Sequence, residues 1–155
     1  MLLISEVIRM RGKWDNRVPD DFDVHSFFDA VINKEANKLQ SFFEPDAIII
    51  WSNTNEQFTV DEYVLANSMY PGKWSGRIEN IDEIDDSSKK MVFVAKVWND
   101  DGNRVRVVSF IRFGDTENEL IELLDEYWCD ISEPPQWRKK MNIGKIYDDE
   151  KMIYF

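Results

Sequence analysis

Apolar residues recur at i, i+3 and i+4 over Val24, Phe27, Phe28, Val31 and Ile32, drawing one stripe along a helix. Asp20 or Asp21, just after Pro19, is placed to cap it. A second, shorter helix is predicted over Asn33 to Phe43, with Leu39, Phe42 and Phe43 inward and Pro45 ending it. Ala47 to Trp51, largely β-branched, predicts a strand. Ser52-Asn53-Thr54-Asn55 predicts a turn, Gln57 to Val60 a brief extended piece, and Asp61 to Tyr70 a third helix stopped by Pro71-Gly72. Beyond it the period shortens to two. Arg77 to Asp85, Met91 to Trp98, Arg104 to Phe113 and Leu120 to Cys129 predict four strands. Their turns fall at Asp86-Ser87-Ser88, Asp100-Asp101-Gly102-Asn103 and Gly114 to Asn118, and Pro134-Pro135 closes the sheet region. Upstream, Ile4, Val7 and Ile8 stand at helical spacing, so a short helix ended by Gly12 and Pro19 is expected in an N-terminal extension.

Helices, a strand, a helix and then consecutive long strands with short turns predict an α+β domain. The late strands form an antiparallel sheet, and the early helices cover one face. The expected organisation is an extension over residues 1–19, a domain over 20–146 and a tail over 147–155. Strand parity places Val92, Val94 and Trp98 on the side of Lys96, which is expected to be solvated or peripheral. Arg106 and Arg112 share a face with Val108 and Phe110. Both sides of these strands are apolar, so the face away from the helices needs a cover. A second copy of the chain is the expected cover, giving a homodimer, with the C-terminal tail as the alternative.

Composition narrows the classes of function. Hydrophobic residues make up 43% and aromatic residues 14% of the 155 positions, which favours a folded domain with large surfaces to fill or line. The formal net charge of −11, with Arg138-Lys139-Lys140 as the one basic cluster, excludes the basic stripe that nucleic acid or an anionic membrane would need. One cysteine, Cys129, allows no intrachain disulfide, and with one histidine, His25, a structural zinc site is not expected. No metal and no cofactor are expected. The opening residues carry no charged leader and no long apolar run, so a cytoplasmic protein is expected.

Phe27-Phe28-Asp29-Ala30-Val31-Ile32-Asn33, Leu39 to Phe43, Pro45 to Trp51 and the closing Glu126-Tyr127-Trp128 resemble the nuclear transport factor 2-like superfamily. Trp51 to Val60, Ala66-Asn67, Tyr70-Pro71-Gly72-Lys73-Trp74, Asp125 to Trp128 and Pro135-Gln136-Trp137-Arg138 are similar to a SnoaL-like bacterial branch with no assigned reaction. The resemblance spans about residues 22–146. It implies a cone-shaped, curved mixed or antiparallel sheet wrapped around N-terminal helices, a roll also called cystatin-like. The superfamily includes ketosteroid isomerase, scytalone dehydratase, limonene epoxide hydrolase and SnoaL-like polyketide cyclases, besides members without chemistry. Residue by residue, the isomerase set is not matched: Phe28 stands at the position of its tyrosine donor and Trp51 at that of its aspartate base. The single His25 does not match the dehydratase histidines. Glu126 is a counterpart of the hydrolase's last-strand aspartate, but Arg106 and Arg112 have no aspartate at the required spacing.

Candidate site residues follow from parity on that cone. Glu126 shares a side with Leu124 and Trp128, and a carboxylate in an apolar cavity is suited to acid–base catalysis; the competing reading is an edge carboxylate paired with Arg138 or solvent. His25, beside the helical stripe, is a second candidate base, the alternative being an exposed or hydrogen-bonded histidine. Trp51 and Asn53 stand at the mouth of the first strand, where an indole plane and an amide suit a flat neutral ligand, unless Trp51 is core. Tyr63, Asn67 and Tyr70, at i, i+4 and i+7, either rim the pocket with Trp128 or simply pack a helix. Trp74, Trp137 and Arg138 are expected to dock the tail, and Cys129 to be buried and inert. The function expected is binding of a small, largely apolar ligand in the cone, with isomerase-, lyase- or hydrolase-type acid–base chemistry by Glu126. The alternative is a non-enzymatic homodimeric interaction module whose cavity is filled.

Overall fold

Asp23, rather than Asp20 or Asp21, starts the first helix: its carboxylate accepts from the backbone N–H of His25 at 3.0 Å and of Ser26 at 3.1 Å. The computed structural model describes residues 18–84 and 88–150. The short helix expected around Ile4, Val7 and Ile8, most of the turn at Asp86-Ser87-Ser88 and the last five tail positions lie outside them. Helix α1, Val24–Ile32, turns Val24, Phe27, Phe28 and Ala30 into the core, following the predicted stripe. Lys34, with φ of 56°, breaks the chain before α2, Ala36–Gln40.

The second helix is shorter than predicted. Phe43 already opens strand β1, Phe43–Trp51, because it pairs with Ile121 of the last strand. Long-range pairing overrides the local helical pattern. Pro45 lies within the strand, where the register slips between Phe43 and Ile48 and asks no backbone donor of it. Strand β2, Glu56–Phe58, folds back on β1. Helix α3, Val60–Met69, begins with a capping box: Thr59 Oγ1 accepts from Glu62 N, and the Glu62 carboxylate accepts from Thr59 N at 2.8 Å.

Four strands then meander: β3 Trp74–Ile84, β4 Lys90–Asn99, β5 Arg104–Phe113 and β6 Ile121–Asp130. The six-stranded sheet has the order β2-β1-β6-β5-β4-β3, antiparallel except for the parallel β1·β6 pair. A short helix α4, Gln136–Lys140, follows Pro135. The fold is α+β, a curled mixed sheet with α1 and α3 packed on one face and α2 joined to them. Met91, Phe93, Ala95 and Val97 of β4 and Val107, Ile111 and Phe113 of β5 point to the helices and are buried. Phe27 and Phe28 meet Phe93 edge-on, at 6.3 and 6.1 Å between ring centroids. Gly76 lets β3 come this close: a Cβ there would lie 2.8 Å from Phe28 Cζ and 3.0 Å from the Lys96 carbonyl oxygen. Beyond it a bulge between Ile78 and Asn80 leaves Glu79 as an extra residue, which increases the curl of this edge.

The outer face differs from expectation at Lys96. It is 5% exposed, not solvated, because the C-terminal tail lies over it. Lys96 Nζ meets Asp149 at 2.8 Å and Glu150 at 3.1 Å, Arg77 meets Glu150 at 2.6 Å, and Arg106 meets Asp149 at 2.9 Å and Glu79 at 2.8 Å. Elsewhere on that face Ile48, Phe110 and Tyr127 are exposed. Among the described residues no helix is long and apolar enough to cross a membrane.

Candidate functional site

Glu126 owes its surroundings to the register of three strands. On β6 it stands opposite Trp51 of β1 on one side and Ser109 of β5 on the other, and cross-strand neighbours share a face. Trp128, two residues on, shares that face too. All three donate to the carboxylate: Trp51 Nε1 at 3.0 Å and Trp128 Nε1 at 3.2 Å to Oε2, and Ser109 Oγ at 3.0 Å to Oε1. Glu126 is 2% exposed. Burial raises its pKa above the usual carboxylate range, opposed by the hydrogen bonds from Ser109, Trp128 and Trp51 and reinforced by the charge of Asp125.

This carboxylate lines a cavity of about 330 Å3 between α1, α3 and the inner face of the sheet. Helix α3 contributes Tyr63 and Asn67, and Tyr70 follows at its C-cap. Asn67 Nδ2 donates to the Val31 carbonyl at 3.0 Å, which fixes the amide and leaves Oδ1 buried without a hydrogen-bond partner. The Tyr63 hydroxyl is likewise buried and unpartnered. Burial, and then the Glu126 charge, push Tyr63 well above its ordinary pKa, so it stays protonated. The Trp51 ring packs edge-on against Phe58 and Tyr63, at 4.7 and 6.2 Å between centroids, so it is both cavity wall and part of the core's margin. Asn53, Glu56 and Asp130 are exposed residues of the lining and stand at its mouth.

The structure thus brings Glu126, Trp51, Asn53, Tyr63, Asn67, Tyr70 and Trp128 to one cavity. It does not bring His25, which is exposed in the first turn of α1 and absent from the lining, because its helical position falls off the apolar stripe. Phe28 is buried against Phe93 and Gly76. Arg106 and Arg112 lie on the outer face, Arg112 with Glu122, so neither reaches Glu126. Nor does Glu126 pair with Arg138, whose guanidinium lies over the exposed Trp137. Trp74, expected to dock the tail, is placed at the cavity instead. It donates to the Pro71 carbonyl at 2.8 Å and meets Tyr70 at 5.9 Å between rings. Cys129 is exposed at the mouth, because β6 is leaving the core there. Sequence reasoning missed Ser109, whose alternation with the inward Val107 and Ile111 was the available signal. It also missed Lys34, which reaches the lining from the break after α1 and donates to the carbonyls of Tyr70 and, at 2.9 Å, of Gly72.

No protein-family model matches the chain, and no curated protein matches its sequence. Solved structures do match. A candidate ketosteroid isomerase from Kribbella flavida DSM 17836 superposes with a TM-score of 0.64 at 18% identity, over 84% of this chain and 91% of that one. A nuclear transport factor 2-like protein of unknown function from Burkholderia xenovorans LB400 gives 0.62 at 16% identity, over 90% and 99%. A candidate SnoaL-like polyketide cyclase from Shewanella putrefaciens CN-32 gives 0.54 at 12% identity, over 66% and 83%. At these identities the likeness is one of architecture. The chain has the nuclear transport factor 2-like fold.

Proposed function

We propose that the cavity binds a small, largely apolar ligand and that Glu126 performs acid–base chemistry on it, of the isomerase, lyase or hydrolase type. The observation that carries this reading is a carboxylate held by three neutral donors inside an aromatic cavity of about 330 Å3, within the usual range for ligand sites. Burial raises its proton affinity toward the range useful to a general base. Tyr63, a lining residue whose hydroxyl is protonated, buried and without a partner, holds a donor that a ligand oxygen would satisfy. Two of the structural matches are named as an isomerase and a polyketide cyclase, which supports an enzymatic reading without assigning a substrate. The size of the cavity speaks against the alternative of an interaction module with a filled interior.

Native mass spectrometry of the purified chain is the first test: a small molecule released on unfolding is expected. Glu126→Gln should abolish turnover of that molecule while the protein stays folded. If the variant binds and turns it over as the parent does, the role given to Glu126 is wrong. We further propose that the chain forms a homodimer through the outer sheet face, on the strength of the exposed Ile48, Phe110 and Tyr127. Light scattering at micromolar concentration should return twice the chain mass, and a monomer would remove this proposal.

A further inference from the structure

Buried charges in proteins are paired with an opposite charge or relieved by a proton. The surroundings of Glu126 supply no opposite charge, so while the cavity is empty burial favours the proton. Its hydrogen-bond partners are all neutral: the indole N–H groups of Trp51 and Trp128, and the Ser109 hydroxyl. Among the described residues no lysine or arginine forms an ion pair with it. Lys34, the lysine of the cavity wall, directs its ammonium to the carbonyls of Tyr70 and Gly72. Arg106 and Arg112 are on the opposite face of the sheet with acids of their own.

Other groups of the cavity add acceptors and aromatic faces. Glu56 and Asp130 add carboxylates at the mouth. Asn67 Oδ1 is a buried acceptor with no donor. Trp51, Trp74, Trp128, Tyr63 and Tyr70 supply aromatic rings, whose faces attract cations. Among the described residues, no three His, Cys, Asp or Glu side chains are grouped to hold a metal ion. We infer that the ligand of this cavity is an organic cation, an amine or quaternary ammonium on an apolar body, whose charge is the counter-ion that Glu126 lacks. This rests on the ligand-binding reading above and narrows it to a substrate class.

The test uses the whole chain and three probes of matched shape: 3-phenylpropyltrimethylammonium, its uncharged isostere with a tert-butyl group in place of trimethylammonium, and 4-phenylbutyrate. Affinities are read by tryptophan fluorescence, since Trp51, Trp74 and Trp128 line the cavity. The ammonium should bind about tenfold more tightly than the isostere, the scale of a desolvated cation–π contact with a nearby carboxylate. It should lose that advantage in Glu126→Gln, while the isostere binds the variant as before. If that variant does not fold, the double variant Glu56→Gln, Asp130→Asn takes its place, and the advantage should shrink by about threefold, as two exposed charges would give. Equal binding of ammonium and isostere, tightest binding of the carboxylate, or an advantage that survives the charge removal would overturn the cationic class and leave the apolar cavity standing. Failure of all three probes to bind would take both readings down together.

Discussion

Replacing Glu126 by Ala and by Gln separates its work as an acceptor from its charge. In the Ala variant three donors lose their acceptor. Ser109 is fully buried, and a buried donor left unsatisfied costs ~1–3 kcal/mol. The indole N–H groups of Trp51 and Trp128 are part-buried beside the cavity, where water can replace the carboxylate, so each costs about 0.5 kcal/mol. The total is about 3 kcal/mol, or roughly 10 °C in melting temperature for a domain of this size. In the Gln variant the amide oxygen takes both indoles and the amide nitrogen donates to Ser109 Oγ, so the network closes again. Its change should stay within about 1 kcal/mol, or roughly 3 °C. Thermal unfolding followed by circular dichroism at pH 7 reads both. If Ala melts together with Gln, the three hydrogen bonds do not pin β1, β5 and β6, and the site is looser than described.

The charge itself has a pH signature. Because burial raises the Glu126 pKa in the folded chain above its ordinary 4.5, the folded state binds the proton more tightly than the unfolded one. Its contribution to stability therefore falls as pH rises from about 4.5 through the raised value and is flat above it; Gln lacks this, so denaturant midpoints of parent and Glu126→Gln should diverge over that window in favour of Gln, and parallel curves would contradict the shift. Gly76→Ala forces a methyl to within 2.8 Å of the Phe28 ring and 3.0 Å of the Lys96 carbonyl, so β3 must back away from α1; a loss of ~1–3 kcal/mol in urea unfolding is expected, and an unchanged midpoint would show the contact to be slack. Deleting residues 148–155 removes both carboxylates from Lys96 and should lower the melting temperature, with Lys96→Met recovering part of the loss in the truncated chain; no recovery would mean that the buried ammonium was not the cause.

Much of this was legible where the cause is local. The stripe from Val24 to Ile32 and the two-residue alternation of β4 and β5 needed only periodicity. So did the shared face of Trp51, Glu126 and Trp128, once the strands were in register. What escaped depends on partners distant in the chain. Phe43 continues a helical pattern that β6, nearly eighty positions later, converts to strand. Lys96 looks solvated until the tail is laid over it. Ser109 looks like an ordinary strand hydroxyl until Glu126 is seen opposite.

The tail over Lys96 divides the outer face into two unequal grounds. Asp149 and Glu150 hold the region around Arg77, Lys96 and Arg106, while Ile48, Phe110 and Tyr127 are exposed elsewhere on it. On β6 Tyr127 points outward one residue from Glu126, which points inward. A neighbour leaning on that exposed ground would press on the strand whose reverse side carries the carboxylate, so crowding outside and occupancy inside would be felt through a single peptide unit.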